Sequence, residues 1–176
     1  VREYKIYNVP EIGRIIDLDL TFIASHGDVY FGDTKEGGII SVRVAPSIKV
    51  SNTGKIENSF GGINEAETWG KKAHWCDYSG PVSGVWLGIA VFDHPSNPGH
   101  PTYWHVRNYG LMTANIFGIT FFEPWRGIRG DLTIRKGGEA RFKYRILLHR
   151  GDAVYARIAS RYADYCAPPE VIFMGD

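Results

Sequence analysis

Three of the chain's six histidines, His94, His100 and His105, fall within twelve positions of one another, in the stretch FDHPSNPGHPTYWHVRNYG at residues 92–110. Asp93, Tyr103, Trp104, Arg107 and Asn108 sit among them. Pro95, Pro98 and Pro101 fix backbone angles and reduce the entropy lost in holding the segment still. A preorganised loop that presents imidazoles suits acid–base chemistry or ligand binding. If TYWHVR is a strand, its period of two aims Tyr103, His105 and Arg107 to one side and Trp104 and Val106 to the other. A neutral His beside a guanidinium resists protonation, which suits a general base. Arg107 can clamp a carboxylate or a pair of sugar hydroxyls, and Tyr103 or Trp104 can stack on a sugar face. The bland alternative is a solvated strand face with Trp104 in the core.

A second cluster, HGDVYFGDTKEGG, sets Asp28, Asp33, Lys35 and Glu36 between glycines. Asp33 or Glu36 is the candidate second member of an acid–base pair with His105; the alternative is a charged turn. A third, HWCDYSG, puts His74, Trp75 and Asp77 near a strand start. His94, His100, His105 and Asp93 also form a conceivable metal set, but no pair has the spacing of a familiar zinc motif, so no metal is assigned. Phosphate-binding glycine loops and a serine nucleophile elbow are absent, and no cofactor is expected.

The elements that must position these side chains are mostly strands. EYKIYNV alternates, and RIIDLDLTFIAS alternates more clearly, with Ile16, Leu18, Leu20 and Phe22 opposite Asp17, Asp19 and Thr21. These two should pair across residues 10–13. DVYFGD and GIISVRVA are further strands, the Ile, Val and two Gly of the latter arguing against helix. Residues 49–70, rich in Gly and Asn, read as a hairpin and a loop. HWCDYSG and GVWLGIAVFDH follow as strands joined by a turn at 79–83, and residues 95–101 as irregular backbone. DLTIRKGGEARFKYRILLHRG reads as one hairpin turning at Gly137-Gly138, with Phe142, Tyr144, Ile146 and Leu148 on one face. DAVYARIASRYADYC has Val154, Ile158 and Tyr162 at helical spacing, Asp152 as N-cap and Pro168-Pro169 as stop. Strands in succession ending in a helix predict a mostly β protein, an antiparallel β-sandwich with a C-terminal helix, forming one domain over residues 1–176.

With 176 residues, 20 Lys plus Arg against 19 Asp plus Glu and a net charge of +1, the chain has no global field favouring nucleic acid or an anionic membrane. No window approaches the roughly 20 apolar residues of a membrane span. Cys76 and Cys166 lack any paired motif and read as two free thiols. The chain begins at Val1, within a strand pattern, and reads as a processed or N-terminally truncated product whose parent is periplasmic, secreted or otherwise soluble.

FDHPSNPGHPTYWHVRNYGLMTANIFG, together with GDTKEGGIISVRVA and GGEARFKYRILLHRGD, resembles a bacterial family of unknown function labelled PmoA or methane oxygenase, over residues 32–149. GGEARFKYRILLHRG is also similar to the late strands of galactose-mutarotase-like β-supersandwiches, which bind carbohydrates and use His and carboxylates at the sugar C1 carbon. The first resemblance implies a parent with a longer N-terminus. The second implies that the sandwich is such a supersandwich or part of one, with an open sheet edge that a second copy of the chain, as a homo-oligomer, would cover.

Three functions compete. The first is a carbohydrate-active protein, with His105, Glu36 and Asp33 as catalytic groups and Arg107, His94, His100, Trp104, Asn108 and Asn115 binding a carbohydrate or other small polar ligand. The second is a non-catalytic carbohydrate-binding or assembly module that stacks sugars on Trp75, Trp86, Trp104 and Trp125. The third is a metal-dependent oxygenase or hydrolase built on the histidine cluster.

Overall fold

Wherever apolar and polar residues alternate along this chain, the backbone is extended, and the pairing of those segments follows from which face each must bury. The computed structural model describes residues 1–11, 13–170 and 172. In chain order the elements are strands β1 (Arg2–Tyr7), β2 (Arg14–Ile23), β3 (Val29–Phe31), β4 (Ile40–Arg43) and β5 (Lys55–Asn58), helix α1 (Asn64–Thr68), strands β6 (Lys71–Lys72), β7 (Trp75–Val82), β8 (Val85–Asp93), β9 (Tyr103–Arg107) and β10 (Leu111–Asn115), helix α2 (Ile119–Phe122), strands β11 (Leu132–Ile134) and β12 (Glu139–Arg150), and helix α3 (Ile158–Cys166).

The strands form antiparallel sheets ordered β1-β2-β12-β8-β7-β5 and β4-β10-β9-β6, with β11 and β3 as a separate pair. The core lies between the two large sheets. Leu18, Leu20, Tyr78, Val91, Phe142 and Tyr144 come to it from the six-stranded sheet, and Ile40, Trp104, Val106, Met112 and Ala114 from the four-stranded one. This is a β-sandwich, as the patterning predicts. A second apolar cluster covers the outer face of the six-stranded sheet, where Ala90, Phe92 and Leu147 pack against Ala153, Ala156 and Ile158. On that same face Arg145 reaches across to Asp17, its Nε to Oδ1 at 2.6 Å and its second nitrogen to Oδ2 at 2.8 Å. β12 is therefore apolar on both sides at its centre, which explains why its sequence alternates less cleanly than that of β2.

Four expectations are corrected. Residues 49–70 are not a hairpin and loop: they hold β5 and the short helix α1. The turn expected at 79–83 is confined to Ser83 and Gly84, both at positive φ, the two-residue geometry that suits strand twist. β11 does not pair with β12, because both edges of β12 are occupied, by β2 and β8; β11 pairs with β3 instead. The C-terminal helix starts at Ile158, not at Asp152. The preceding residue, Arg157, is left-handed, and Asp152 caps a separate turn by accepting the Tyr155 N–H at 2.9 Å. Val154, predicted to share the buried helix face, is 78% exposed. Cys76 and Cys166 are both free thiols, and among the described residues no helix is long and apolar enough to cross a membrane.

Where β7, β8 and β12 run side by side, Ser79, Gly88 and His149 occupy one row. A Cβ at Gly88 would meet the His149 ring and Ser79 Cβ, and His149 cannot swing away because Asp77 Oδ1 holds its Nε2 at 2.7 Å. Gly88→Ala should therefore destabilise the fold by about 1–3 kcal/mol, seen as a lower urea midpoint with an unchanged slope.

Candidate functional site

The inward turn of Trp104, Val106, Met112 and Ala114 commits their neighbours to the other face of the four-stranded sheet. Across that outer face His105 stands beside Thr113, and Thr113 beside Ser41, in one row. Ser41 and Thr113 hydroxyls are 2.8 Å apart. The next row holds Arg107, Leu111 and Arg43, and the row on the other side holds Tyr103 and Asn115. His105 and Arg107 do share a face, as strand alternation predicts.

His105 is fully buried. The Trp69 indole N–H donates to its Nδ1 at 3.1 Å. An indole nitrogen can only donate, so Nδ1 presents a lone pair and the neutral ring carries its proton on Nε2. Among the described residues that Nε2 has no hydrogen-bond partner, and Glu36 Oε2 is 3.9 Å away. The gap is too wide for a hydrogen bond. Burial pushes the His105 pKa below 6.5; Arg107 and Lys35 push it the same way, while Glu36 and Glu65 oppose them. The ring is thus held neutral, with a donor aimed at a carboxylate it does not reach.

The surroundings fix this geometry. Glu36 is largely exposed, and its backbone comes from the loop between β3 and β4. Asn115 secures that loop by donating to the carbonyls of Thr34 and Lys35, both at 3.0 Å. Asp33 secures its base, accepting from Thr120 Oγ1 at 2.8 Å and from the backbone N–H groups of Thr120 and Gly130. On the other flank α1 supplies Glu65, whose Oε1 lies 2.7 Å from Arg107 Nε. Asn108 locks α1 to the sheet by donating its backbone N–H to Glu65 Oε2 and accepting the Glu65 N–H on Oδ1. Tyr109 lies under the guanidinium groups of both Arg107 and Arg43.

His105, Glu36 and Arg107 are therefore brought together, while Asn108 and Asn115 act as braces bonded to backbone groups, and Asp33 braces its loop through Oδ2, its Oδ1 having no partner among the described residues. Three other predicted site residues do not join them. Trp104 points into the core, fully buried, with its N–H on the Ala73 carbonyl at 3.0 Å, so it offers no sugar a stacking face. His94 contacts Ser96 and the edge of the Tyr165 ring. His100 belongs to a separate chain of bonds: its Nδ1 is 2.8 Å from Asp93 Oδ2, and its Nε2 is 3.2 Å from His74 Nδ1. Asp93 is fully buried and also accepts from Asn97 Nδ2 and the Thr102 N–H. With both rings neutral and Asp93 ionised, the protons sit on His100 Nδ1 and His74 Nδ1, leaving His74 Nε2 as the terminal lone pair. His94 and His100 sit in the 94–102 loop that leaves the six-stranded sheet at the end of β8, whereas His105 lies within β9 on the outer face of the four-stranded sheet, and none of the hydrogen-bond partners of His94 and His100 is shared with His105. Among the described residues no group of three or more His, Cys, Asp or Glu side chains is arranged to hold a metal ion.

Sequence reading missed Glu65, Trp69, Ser41, Thr113 and Tyr109. The last three had a signal: each is the polar or amphipathic partner in a strand or turn whose alternate residues are core. Glu65 and Trp69 had only their i, i+4 spacing inside a segment read as loop.

A family model described as "Family of unknown function (DUF6807)" matches residues 1–163. No curated protein and no solved structure matches the chain.

His105, His74 and His94 all have pKa values lowered from 6.5, each chiefly by burial. The native state then binds fewer protons than the unfolded one, so their stability contribution is complete above 6.5 and is lost as pH falls toward the folded values. His149, raised from 6.5 by Asp77 against the opposing effect of burial, works the other way and loses its contribution as pH rises through its folded value. Urea midpoints measured between about pH 5 and 8 should fall on the acid side for the wild type, and His105→Gln should flatten that acid limb.

Proposed function

We propose that this chain, which belongs to the DUF6807 family of unknown function, binds a sugar or sugar acid over the outer face of the four-stranded sheet and transfers a proton on it. The observation that carries this reading is the buried, neutral His105 Nε2–H, lacking an acceptor 3.9 Å from the exposed Glu36 carboxylate. A neutral imidazole donor paired with a carboxylate base is the arrangement used for proton abstraction next to a carbonyl. Glu36 takes the proton from the carbon. The electron pair of the broken C–H bond forms the C=C bond of an enediolate, and the oxygen that gains negative charge accepts the His105 hydrogen bond. Glu36 then delivers the proton to the former carbonyl carbon, while His105 gives its Nε2 proton to the enediolate oxygen and takes the proton of the neighbouring hydroxyl, which gives the aldose–ketose isomer. No cofactor enters the balance. Arg107, held by Glu65, binds a carboxylate or hydroxyl pair of the ligand.

In this reading His105 is the donor and Glu36 the base, because Trp69 occupies the His105 nitrogen that a base would otherwise use. Asp33 braces the loop. The choice of sugar rests on the sequence resemblance to galactose-mutarotase-like supersandwiches and on the polar character of the row Ser41, Thr113 and His105. The resemblance to the PmoA-labelled family adds no oxygenase chemistry, since His94, His100 and His105 do not converge.

Incubation with aldoses, ketoses and uronic acids in deuterated water should show loss of the signal from the carbon-bound proton next to the carbonyl. Glu36→Gln should slow that exchange by roughly 10²–10⁴-fold, and His105→Gln should lower kcat more than it raises KM. No exchange with any of these substrates by the wild type would sink the catalytic reading. Saturable sugar binding without exchange would favour the non-catalytic module, for which Trp125, 74% exposed, and Trp86, 38% exposed, are the remaining stacking faces.

A further inference from the structure

A cavity whose lining does not include His105 lies at the end of the sandwich where β2 begins and β12 ends. Its volume is about 880 Å³, within the range of small-molecule sites. Its walls are apolar, including Val44, Ile48 and Ile89, and Arg14, Arg150 and Arg161 line it together with a single carboxylate, that of Glu11. Arg43 also borders it, but the Arg43 guanidinium stacks on Tyr109.

Among the described residues six of the twelve arginines, Arg2, Arg14, Arg43, Arg150, Arg157 and Arg161, form no ion pair, and four of those six line this cavity. Arg107, Arg126, Arg129, Arg135, Arg141 and Arg145 each hold a carboxylate of the chain. Among the described residues, Arg14, Arg150 and Arg161 have no carboxylate within ion-pair distance. Arg161 is half-buried, and the one bond its guanidinium makes is from Nε to the Ala156 carbonyl at 2.8 Å. Burial and the neighbouring Arg157 both act against its charge. A guanidinium kept partly out of water with open donors is a strong acceptor of an anion, because a charge-assisted pair is worth most where screening is weakest. His149 at the cavity wall adds no free charge, since Asp77 neutralises it.

We infer that this cavity binds an organic anion with an apolar body, its carboxylate or phosphate group held by Arg14, Arg150 and Arg161 and its body lying against Val44, Ile48 and Ile89. The apolar walls exclude a bare inorganic ion as the fitting ligand, and the guanidinium groups exclude an uncharged one. The site is independent of the His105 face.

Calorimetric titration of the chain with octanoate and octyl phosphate tests this, with octanol and inorganic phosphate as half-ligands. Saturable binding of at least one of the two anions is expected, with each half-ligand at least about tenfold weaker, the worth of a charge-assisted bond or of several buried methylenes. Arg161→Gln and the more exposed Arg14→Gln should each weaken binding by about tenfold, while Arg2→Gln, on β1 and outside the cavity lining, should leave it unchanged. Absence of binding by both anions, octanol binding as tightly as octanoate, phosphate binding as tightly as octyl phosphate, or unchanged affinity in both lining variants would each overturn the assignment. Because Arg14 is exposed, its variant keeps the test open if Arg161→Gln fails to fold.

Discussion

Strand β9 is buried on both of its faces, and this double burial governs the rest of the molecule. Trp104 and Val106 must face the core, so strand geometry sends Tyr103, His105 and Arg107 to the opposite side. There they would lie open to water, were it not for α1, Trp69 and the Glu36 loop, which fold back over the sheet. Each of these covers is held by hydrogen bonds rather than by apolar packing alone: Asn108 to Glu65, Trp69 to His105, Asn115 to the 34–35 backbone. The outer face thus becomes a polar interior. A hydrogen-bond donor there is worth more than on open surface, because the effective dielectric is lower.

The fold was legible in the sequence wherever one face of a strand is apolar and the other is not. β2 is the clearest case: its alternation foretold both its strand character and its pairing with β1. β12 was harder, because α3 buries its second face and makes Leu147 and His149 core residues as well. Local pattern also carried no information about which edge a strand would find. The glycine turn at Gly137-Gly138 suggested a β11–β12 hairpin, but β12 has two better partners in β2 and β8, with far longer registers. The helix α1 is too short, at five residues, to show a period. For the candidate site, alternation in TYWHVR was enough to join His105 to Arg107. It could not show that His94 and His100 make their bonds to Ser96, Asp93 and His74, which removes them from the His105 face. Nor could it show that Asn108 and Asn115 bond the backbone or that Asp33 bonds Thr120 and Gly130, since nothing in a residue's type distinguishes a brace from a ligand.

Two buried His–Asp pairs tie the central strands together. Asp93 with His100 and His74 ties the end of β8 to the start of β7, and Asp77 with His149 ties β7 to β12 across Gly88. Burial raises the pKa of both aspartates, and the bonds they accept act against that rise. Such pairs contribute little net stability compared with apolar residues of the same volume, yet they are costly to break from one side. They fix which strand lies beside which. That is useful in a sheet whose neighbours come from distant parts of the chain.

The bond from Trp69 to His105 has a consequence of a different kind. The indole N–H can hold Nδ1 only while that nitrogen keeps its lone pair, so protonating the imidazole must release the indole and leave a cation about a ring's width from it. Imidazolium cations quench indole emission, whereas a hydrogen-bonded neutral imidazole does so far less. The chain therefore carries its own optical gauge of the His105 charge state. Its signal is the share of the emission of the chain's five tryptophans that Trp69 contributes, and it needs neither a label nor a substrate.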